Sequence, residues 1–235
     1  MKVEIWSDIM CPFCYIGKRK FEAALDKFPE KDKIEVEWKS FQLNPDLKST
    51  PGTNVYDYLA EHKGISRDQS VRMHQQVTQS ASEVGLTYNF DKAVVANSFD
   101  AHRLIQMAKA QKLGDAAEEK LFIAYFTEGK NIADHEVLTD IGASIGLDRK
   151  AVVDMLASGE FAGEVNLDVR EAEQLGARGV PFFVLDRKYG VSGAQPSEAF
   201  TQALTQAFGE WRKTQPLTTL ETTEGPSCAL DGTCD

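Results

Sequence analysis

Val3-Glu4-Ile5-Trp6-Ser7-Asp8-Ile9-Met10-Cys11-Pro12-Phe13-Cys14 is the stretch on which the fold turns. Val3 to Trp6 is a short apolar run of strand-forming residues that stops at Ser7-Asp8. Past Cys11-Pro12, apolar residues recur at Phe21, Ala24, Leu25 and Phe28. That spacing predicts one face of a helix running to about Phe28, with Pro29 as its stop signal. Ile34, Val36 and Trp38 then alternate with Glu35, Glu37 and Lys39, the period of a half-buried strand. The opening of the chain reads strand, helix, strand.

Two thiols placed where a strand passes into a helix have a mechanical logic. At a helix start Cys11 faces unpaired backbone N–H groups and the positive end of the dipole, which favour a thiolate. Pro12 costs nothing there, since its missing N–H would have had no helical partner. Cys14, three positions on, lies on the same face at about 5–6 Å, the Cα separation that a disulfide prefers. The pair can therefore open and close on a nearly fixed backbone, with Cys11 attacking and Cys14 resolving. Two bland readings stand beside this one. The cysteines could form half of a zinc site completed by Cys228 and Cys234, although structural zinc pairs usually sit on knuckle turns. They could also be inert core thiols, which leaves the helix-start position unexplained.

Further along, Thr53 to Ser158 reads as helical, with no convincing strand. Gly85, Gly114, Gly129, Gly146 and Gly159 are placed as helix ends, and Asp134 and Asp148 as N-caps. Helical faces are formed by Ala101, Leu104, Ile105 and Ala108, by Val137, Leu138, Ile141 and Ile145, and by Val152, Val153 and Leu156. Val165, Val169, Ala172 and Leu175 mark another helix, ending at Gly176. Strands follow at Phe182–Leu185 and Tyr189–Ser192. Pro196 opens a last helix, whose apolar side carries Phe200, Leu204 and Phe208.

The order β-α-β, helical insertion, α-β-β-α predicts an α/β protein with a single small sheet covered by helices. Residues 1–52 and 159–213 would form one domain and 53–158 an inserted helical subdomain. Residues 214–235 would be an extended tail, too rich in Thr, Pro, Gly and acid to pack a core.

Ser7-Asp8-x-x-Cys11-Pro12-Phe13-Cys14-Tyr15-Ile16-Gly17-Lys18 resembles the opening of the DsbA family, specifically its cytoplasmic FrnE-like branch. Trp38-x-x-Phe41-Gln42-Leu43-Asn44-Pro45 is similar too, as are Asn97-Ser98 with Ala101-His102-Arg103-Leu104, and Gly179-Val180-Pro181-Phe182-Phe183. The resemblance covers about residues 1–212. It implies a thioredoxin fold with a large all-helical insertion between the second strand and the crossover helix, and thiol–disulfide oxidoreductase or isomerase chemistry. It also implies a cis Val180-Pro181 bond facing the thiol pair, with Val180 offering backbone groups to a substrate chain. Pro12, Phe13, Val180 and Pro181 would then contact substrate. On the residues alone, Pro181 is an ordinary strand-entry proline.

Three positions bear on that resemblance. Glutathione-using relatives of the same fold, 2-hydroxychromene-2-carboxylate isomerase and kappa-class transferases, lack the second thiol; this chain keeps both. The acid that handles the resolving thiol's proton in thioredoxin and DsbA lies six residues before the first cysteine, which is Ile5 here. Asp8 is a candidate substitute, with a turn role the plain alternative. Phe13 replaces the histidine of strongly oxidising members and implies a more moderate oxidant.

Composition narrows the partners. With 26 Lys and Arg against 36 Asp and Glu, the net charge is −10, which disfavours nucleic acid and anionic lipid. Glu4 and Asp8 break any leader-like apolar run, and no stretch reaches the roughly 18 apolar residues of a membrane helix, so a cytoplasmic location is expected. No bound cofactor or metal is expected. Glutathione is a candidate co-substrate, protein or small-molecule disulfides are the expected partners, and an oligomer stays open. Lys18 reads as a source of positive potential near Cys11, or with Lys20 as part of a solvated helix face. His102 reads as an accessory group or as a satisfied packing histidine. A zinc-binding or redox-sensing module is the remaining alternative. Cys228 and Cys234, around an Asp231-Gly232 turn, are a candidate second redox pair that exchanges with Cys11 and Cys14.

Overall fold

The computed structural model describes residues 1–48 and 53–215. Strand β1 (Lys2–Ser7) leads into helix α1 (Pro12–Asp26) and strand β2 (Glu35–Ser40). Helices α2 (Val55–Lys63), α3 (Arg67–Ser82), α4 (Phe99–Ala110), α5 (Gly114–Phe122), α6 (His135–Ser144) and α7 (Arg149–Ala157) follow. Then α8 (Ala162–Gln174) crosses back to β3 (Phe182–Leu185), β4 (Tyr189–Ser192) and α9 (Ser197–Thr214). The sheet order is β2-β1-β3-β4, with β1–β2 parallel and the other pairings antiparallel. This is the α/β class with the helical insertion where the sequence places it.

Strand β1 is paired along both edges by β2 and β3, and helices cover both of its faces. Val3 and Ile5 pack with Phe21, Phe28, Phe183 and Phe200 beneath α1 and α9. Trp6 turns to the other side against Ala172 and Val184, and its indole N–H donates to the Asp168 carbonyl at 2.7 Å. Glu4 shares that second side. It is buried because Arg187 and Lys39 pair with it.

In the helical layer Asp134 and Asp148 are the N-caps expected of them, and Ser66 adds one that was not. Asp134 accepts from the Glu136 amide and Asp148 from the Ala151 amide, and Ser66 closes a capping box with Gln69.

Several local expectations are corrected. The stretch 53–158 is interrupted: Leu86–Asn97 contains no helix, and the Asn89 amide ties that segment to the Phe126 carbonyl at 2.7 Å. Gly114 opens α5 rather than ending a helix, because a Cβ there would meet Lys109 Cγ at 2.7 Å where the chain doubles back from α4. Val153 and Leu175 are exposed, since the packed faces of their helices are carried by Val152 and Met155 and by Val165 and Ala172. Pro196 caps α9 from just outside.

Candidate active site

The β1–α1 turn delivers both described thiols to one end of the sheet. Cys11 is the N-cap of α1 with extended backbone (φ −87°, ψ 110°), and Pro12 takes the first helical position as the missing N–H allows. The Cys11 amide donates to the Asp8 carbonyl at 2.9 Å, and the Cys14 amide donates to the Cys11 carbonyl at 3.0 Å. Both cysteines are free thiols. Cys11 Sγ lies 3.5 Å from the Val180 carbonyl oxygen, and the Val180-Pro181 bond is cis. The two segments lie 169 positions apart, and the fold brings them into contact, as the family resemblance implies.

Cys11 retains 4% exposure and opens on an apolar cleft of about 330 Å³ whose lining includes Met10, Phe13, Leu43 and Val77. Phe13 is 46% exposed at its rim, where Leu43 and Met73 are exposed as well, so the cleft presents an apolar patch to solvent. Cys14 is fully buried behind Cys11. Burial, then the facing Cys11 sulfur, push its thiol well above the ordinary range, against the opposing pull of the Asp8 amide and the Ser7 hydroxyl.

Of the accessory candidates, Asp8 has a structural post. Its carboxylate accepts from the Met10 amide (3.2 Å) and the Leu43 amide (2.8 Å), joining the β1–α1 turn to the chain after β2. Burial alone would raise its pKa, but His102, the Leu43 amide and Ser98 hold it below the usual carboxylate range. His102 is buried with Nε2 3.5 Å from Asp8 Oδ1, and neither ring nitrogen makes a hydrogen bond among the described residues. The reading of His102 as a satisfied packing histidine is therefore corrected: it is buried beside the Asp8 carboxylate with its ring nitrogens unpaired among the described residues.

Lys18 is corrected more sharply. It is 1% exposed, not on a solvated face. Its Nζ lies 2.5 Å from Glu22 and 2.6 Å from Asp115, over the Trp38 ring. Its charge is thus engaged by carboxylates rather than free to act on Cys11. Cys228 and Cys234 lie outside the described residues, and among those residues no cluster of three or more metal-ligating side chains exists.

Two participants were not read from the sequence. Tyr88, in the non-helical segment, donates its hydroxyl to the Pro12 carbonyl at 2.7 Å and so fixes the first turn of α1. Gly17 lets α1 approach Pro181: a Cβ there would lie 2.9 Å from Pro181 Cγ and 3.5 Å from Phe183 Cζ. Gly17→Val should push α1 and the Pro181 segment apart and slow disulfide exchange roughly 10-fold, with secondary structure retained by circular dichroism. An unchanged rate in the folded variant would show that this spacing is immaterial.

Residues 2–205 match the family described as the DSBA-like thioredoxin domain. A probable DsbA oxidoreductase of Streptomyces coelicolor, known from its crystal structure, is 42% identical, with 100% of this chain and 98% of that one covered and a TM-score of 0.85. The cytosolic disulfide reductase DsbM of Pseudomonas aeruginosa, solved also with GSH, is 20% identical over 88% of this chain and 98% of its own, with a TM-score of 0.63. At that identity the likeness is one of fold. The uncharacterized protein YwbO of Bacillus subtilis is 26% identical over 204 residues, 86% of this chain and 94% of that protein. A thiol pair at a strand-to-helix junction, a facing X-Pro segment, this sheet order and a family match over most of the chain agree: the chain belongs to the DSBA-like thioredoxin domain family.

Proposed function

We propose that this protein is a thiol–disulfide oxidoreductase that cycles Cys11 and Cys14 between dithiol and disulfide. The observation that carries the reading is the division of labour between the two sulfurs. Cys11 sits at the helix N-cap, on the cleft and beside the Val180 carbonyl, while Cys14 is sealed behind it. Of these two, only Cys11 can meet a substrate sulfur. Its thiolate attacks one sulfur of a bound disulfide, forming a mixed disulfide and releasing the other sulfur as a thiolate. Cys14 then attacks Cys11 Sγ, closing the intramolecular bond and releasing the second substrate thiol.

The cleft supports substrates with apolar surface next to the disulfide, and the Val180 backbone supports an extended chain lying alongside it. Glutathione, which accompanies DsbM in one solved structure, is the proposed electron source, and the cytoplasm the proposed compartment. A glutathione-dependent isomerase or transferase would work without Cys14, and the buried second thiol argues against it.

Equilibration against glutathione buffers, followed by alkylation and peptide mapping, tests the reading while separating Cys11 and Cys14 from the tail thiols. One two-electron couple is expected, between about −120 mV for the strongest oxidants and about −270 mV for thioredoxin. No protected Cys11–Cys14 disulfide at any buffer ratio would refute the proposal.

A further inference from the structure

Cys14 has no exposed surface, so its proton cannot leave directly to water when it attacks Cys11. The position of the usual acid is Ile5, which is buried in the apolar core. Behind Cys14, however, lies a closed polar cluster. Ser7 comes from β1, Asp8 from the turn, His102 from α4 and Glu118 from α5, and each is 1% exposed. Ser7 Oγ, both His102 ring nitrogens and Glu118 Oε1 make no hydrogen bond among the described residues. Buried polar atoms are nearly always paired, so four such atoms together call for a functional account. The Ser7 hydroxyl is close enough to the Cys14 thiol and to the Glu118 carboxyl to lower the pKa of each. It hydrogen-bonds neither at rest, so a relay between them forms only as the hydroxyl turns from one to the other.

We propose that Glu118, contributed by the helical insertion, accepts the Cys14 proton through the Ser7 hydroxyl during the resolving step. The inference rests on the dithiol reading above. Cys14 Sγ attacks Cys11 Sγ of the mixed disulfide, a Cys11–Cys14 bond forms, and the bond to substrate breaks with its electron pair leaving on the substrate thiolate. The Cys14 proton passes to Ser7 Oγ as the Ser7 proton passes to Glu118. The released thiolate takes a proton from solvent. The cysteine pair is oxidised by two electrons and the substrate disulfide reduced by two. On re-reduction Glu118 returns the proton.

The neighbours single out Glu118 for this role. Asp8 is already committed to two backbone amides and held ionised. Glu118 faces Ser7 from β1, His102 from α4, Lys18 from α1 and Asp115 on its own helix. Burial pushes its pKa up to about 7, only partly opposed by Ser7, His102 and Lys18. A base that exchanges its proton near neutral pH suits the task. Because Glu118 acts through Ser7, it is a positioning residue rather than a catalytic one.

The test uses the full chain carrying Cys228→Ser and Cys234→Ser, so that only Cys11 and Cys14 report, with 5,5′-dithiobis(2-nitrobenzoate) as the probe. Attack by Cys11 releases one nitrothiolate in a first phase, and resolution by Cys14 releases the second. In the parent the second-phase rate should rise with pH through about 7 as Glu118 loses its proton. Glu118→Gln should slow that phase about a hundredfold at pH 7.5 and abolish the rise, while the first phase stays within about twofold. Ser7→Ala should slow the second phase alone, and Glu118→Asp should restore part of the pH dependence. A folded Glu118→Gln protein with the parent second-phase rate and pH profile would overturn the proposal. If the parent gives a normal first phase and no second, the dithiol reading itself fails.

Discussion

Cys11→Ser is expected to lower insulin-disulfide reduction at least about 10³-fold, the scale on which removal of a covalent nucleophile is felt. A serine hydroxyl in this position cannot form the mixed disulfide, and the only other described thiol, Cys14, has no exposed surface from which to substitute for it. Cys14→Ser should behave differently. The first attack survives, but with the tail cysteines also replaced by serine the mixed disulfide on Cys11 persists, because no other thiol is left to displace the substrate sulfur. Non-reducing electrophoresis and mass mapping should then show substrate linked to Cys11. Full turnover in the Cys11 variant would reassign the nucleophile. Full turnover in the Cys14 variant would move the protein to one-thiol, glutathione-type chemistry.

The two outcomes separate because the fold treats the thiols unequally. The difference comes from register along α1. Cys11 is the cap, outside the helix proper and facing the cleft, whereas Cys14 lies inside the first turn on the packed side with Tyr15 and Ile16. Moving the pair one residue along the helix would exchange a core position for a surface one.

What was readable in the sequence was local or periodic. Strand alternation, helix spacing and the Cys-x-x-Cys placement yielded the order of elements, because each depends on neighbours within a few residues. Lys18 was misread because its partners Asp115 and Glu119 lie about a hundred residues away, and Trp38 comes from β2. Tyr88 was missed for a similar reason: it contacts Pro12 from an irregular segment that no periodicity marks. Glu118 did leave a signal. Gly114, Ala117, Glu118, Leu121 and Phe122 form the i, i+3, i+4, i+7, i+8 stripe of α5, and all are buried. A glutamate on an apolar stripe points inward. Flanked by Asp115, Glu119 and Lys120, it passes for part of a charged surface face.

That inward glutamate should carry a large pH effect on stability between acid and neutral pH. Its folded pKa of about 7 lies above the ordinary 4.5, since burial penalises the ionised form. Between those values the unfolded chain has released the proton and the folded chain still holds it, so folding stability must fall as pH rises. The stability is fully present below about pH 4.5, is lost progressively up to about pH 7, and changes no further above it. A shift of this size corresponds to about 3 kcal/mol. Glu37 acts in another window: burial would raise its pKa, but Lys2 and Lys109 pull it down to about 2, so its contribution is lost only as pH falls below about 4.5. Urea denaturation of reduced protein and of Glu118→Gln at pH 5 and pH 8 should therefore diverge. Because its amide does not ionise, the variant should gain about 2.5 kcal/mol on the parent between the two conditions, slightly less than the full shift since pH 5 already lies above 4.5. Parallel losses in both proteins would mean that Glu118 titrates like an exposed carboxyl. A chain that keeps an ionisable group where an amide would be more stable at neutral pH gives up stability for something, and on the relay proposed above that something is a base for Cys14, reached through Ser7.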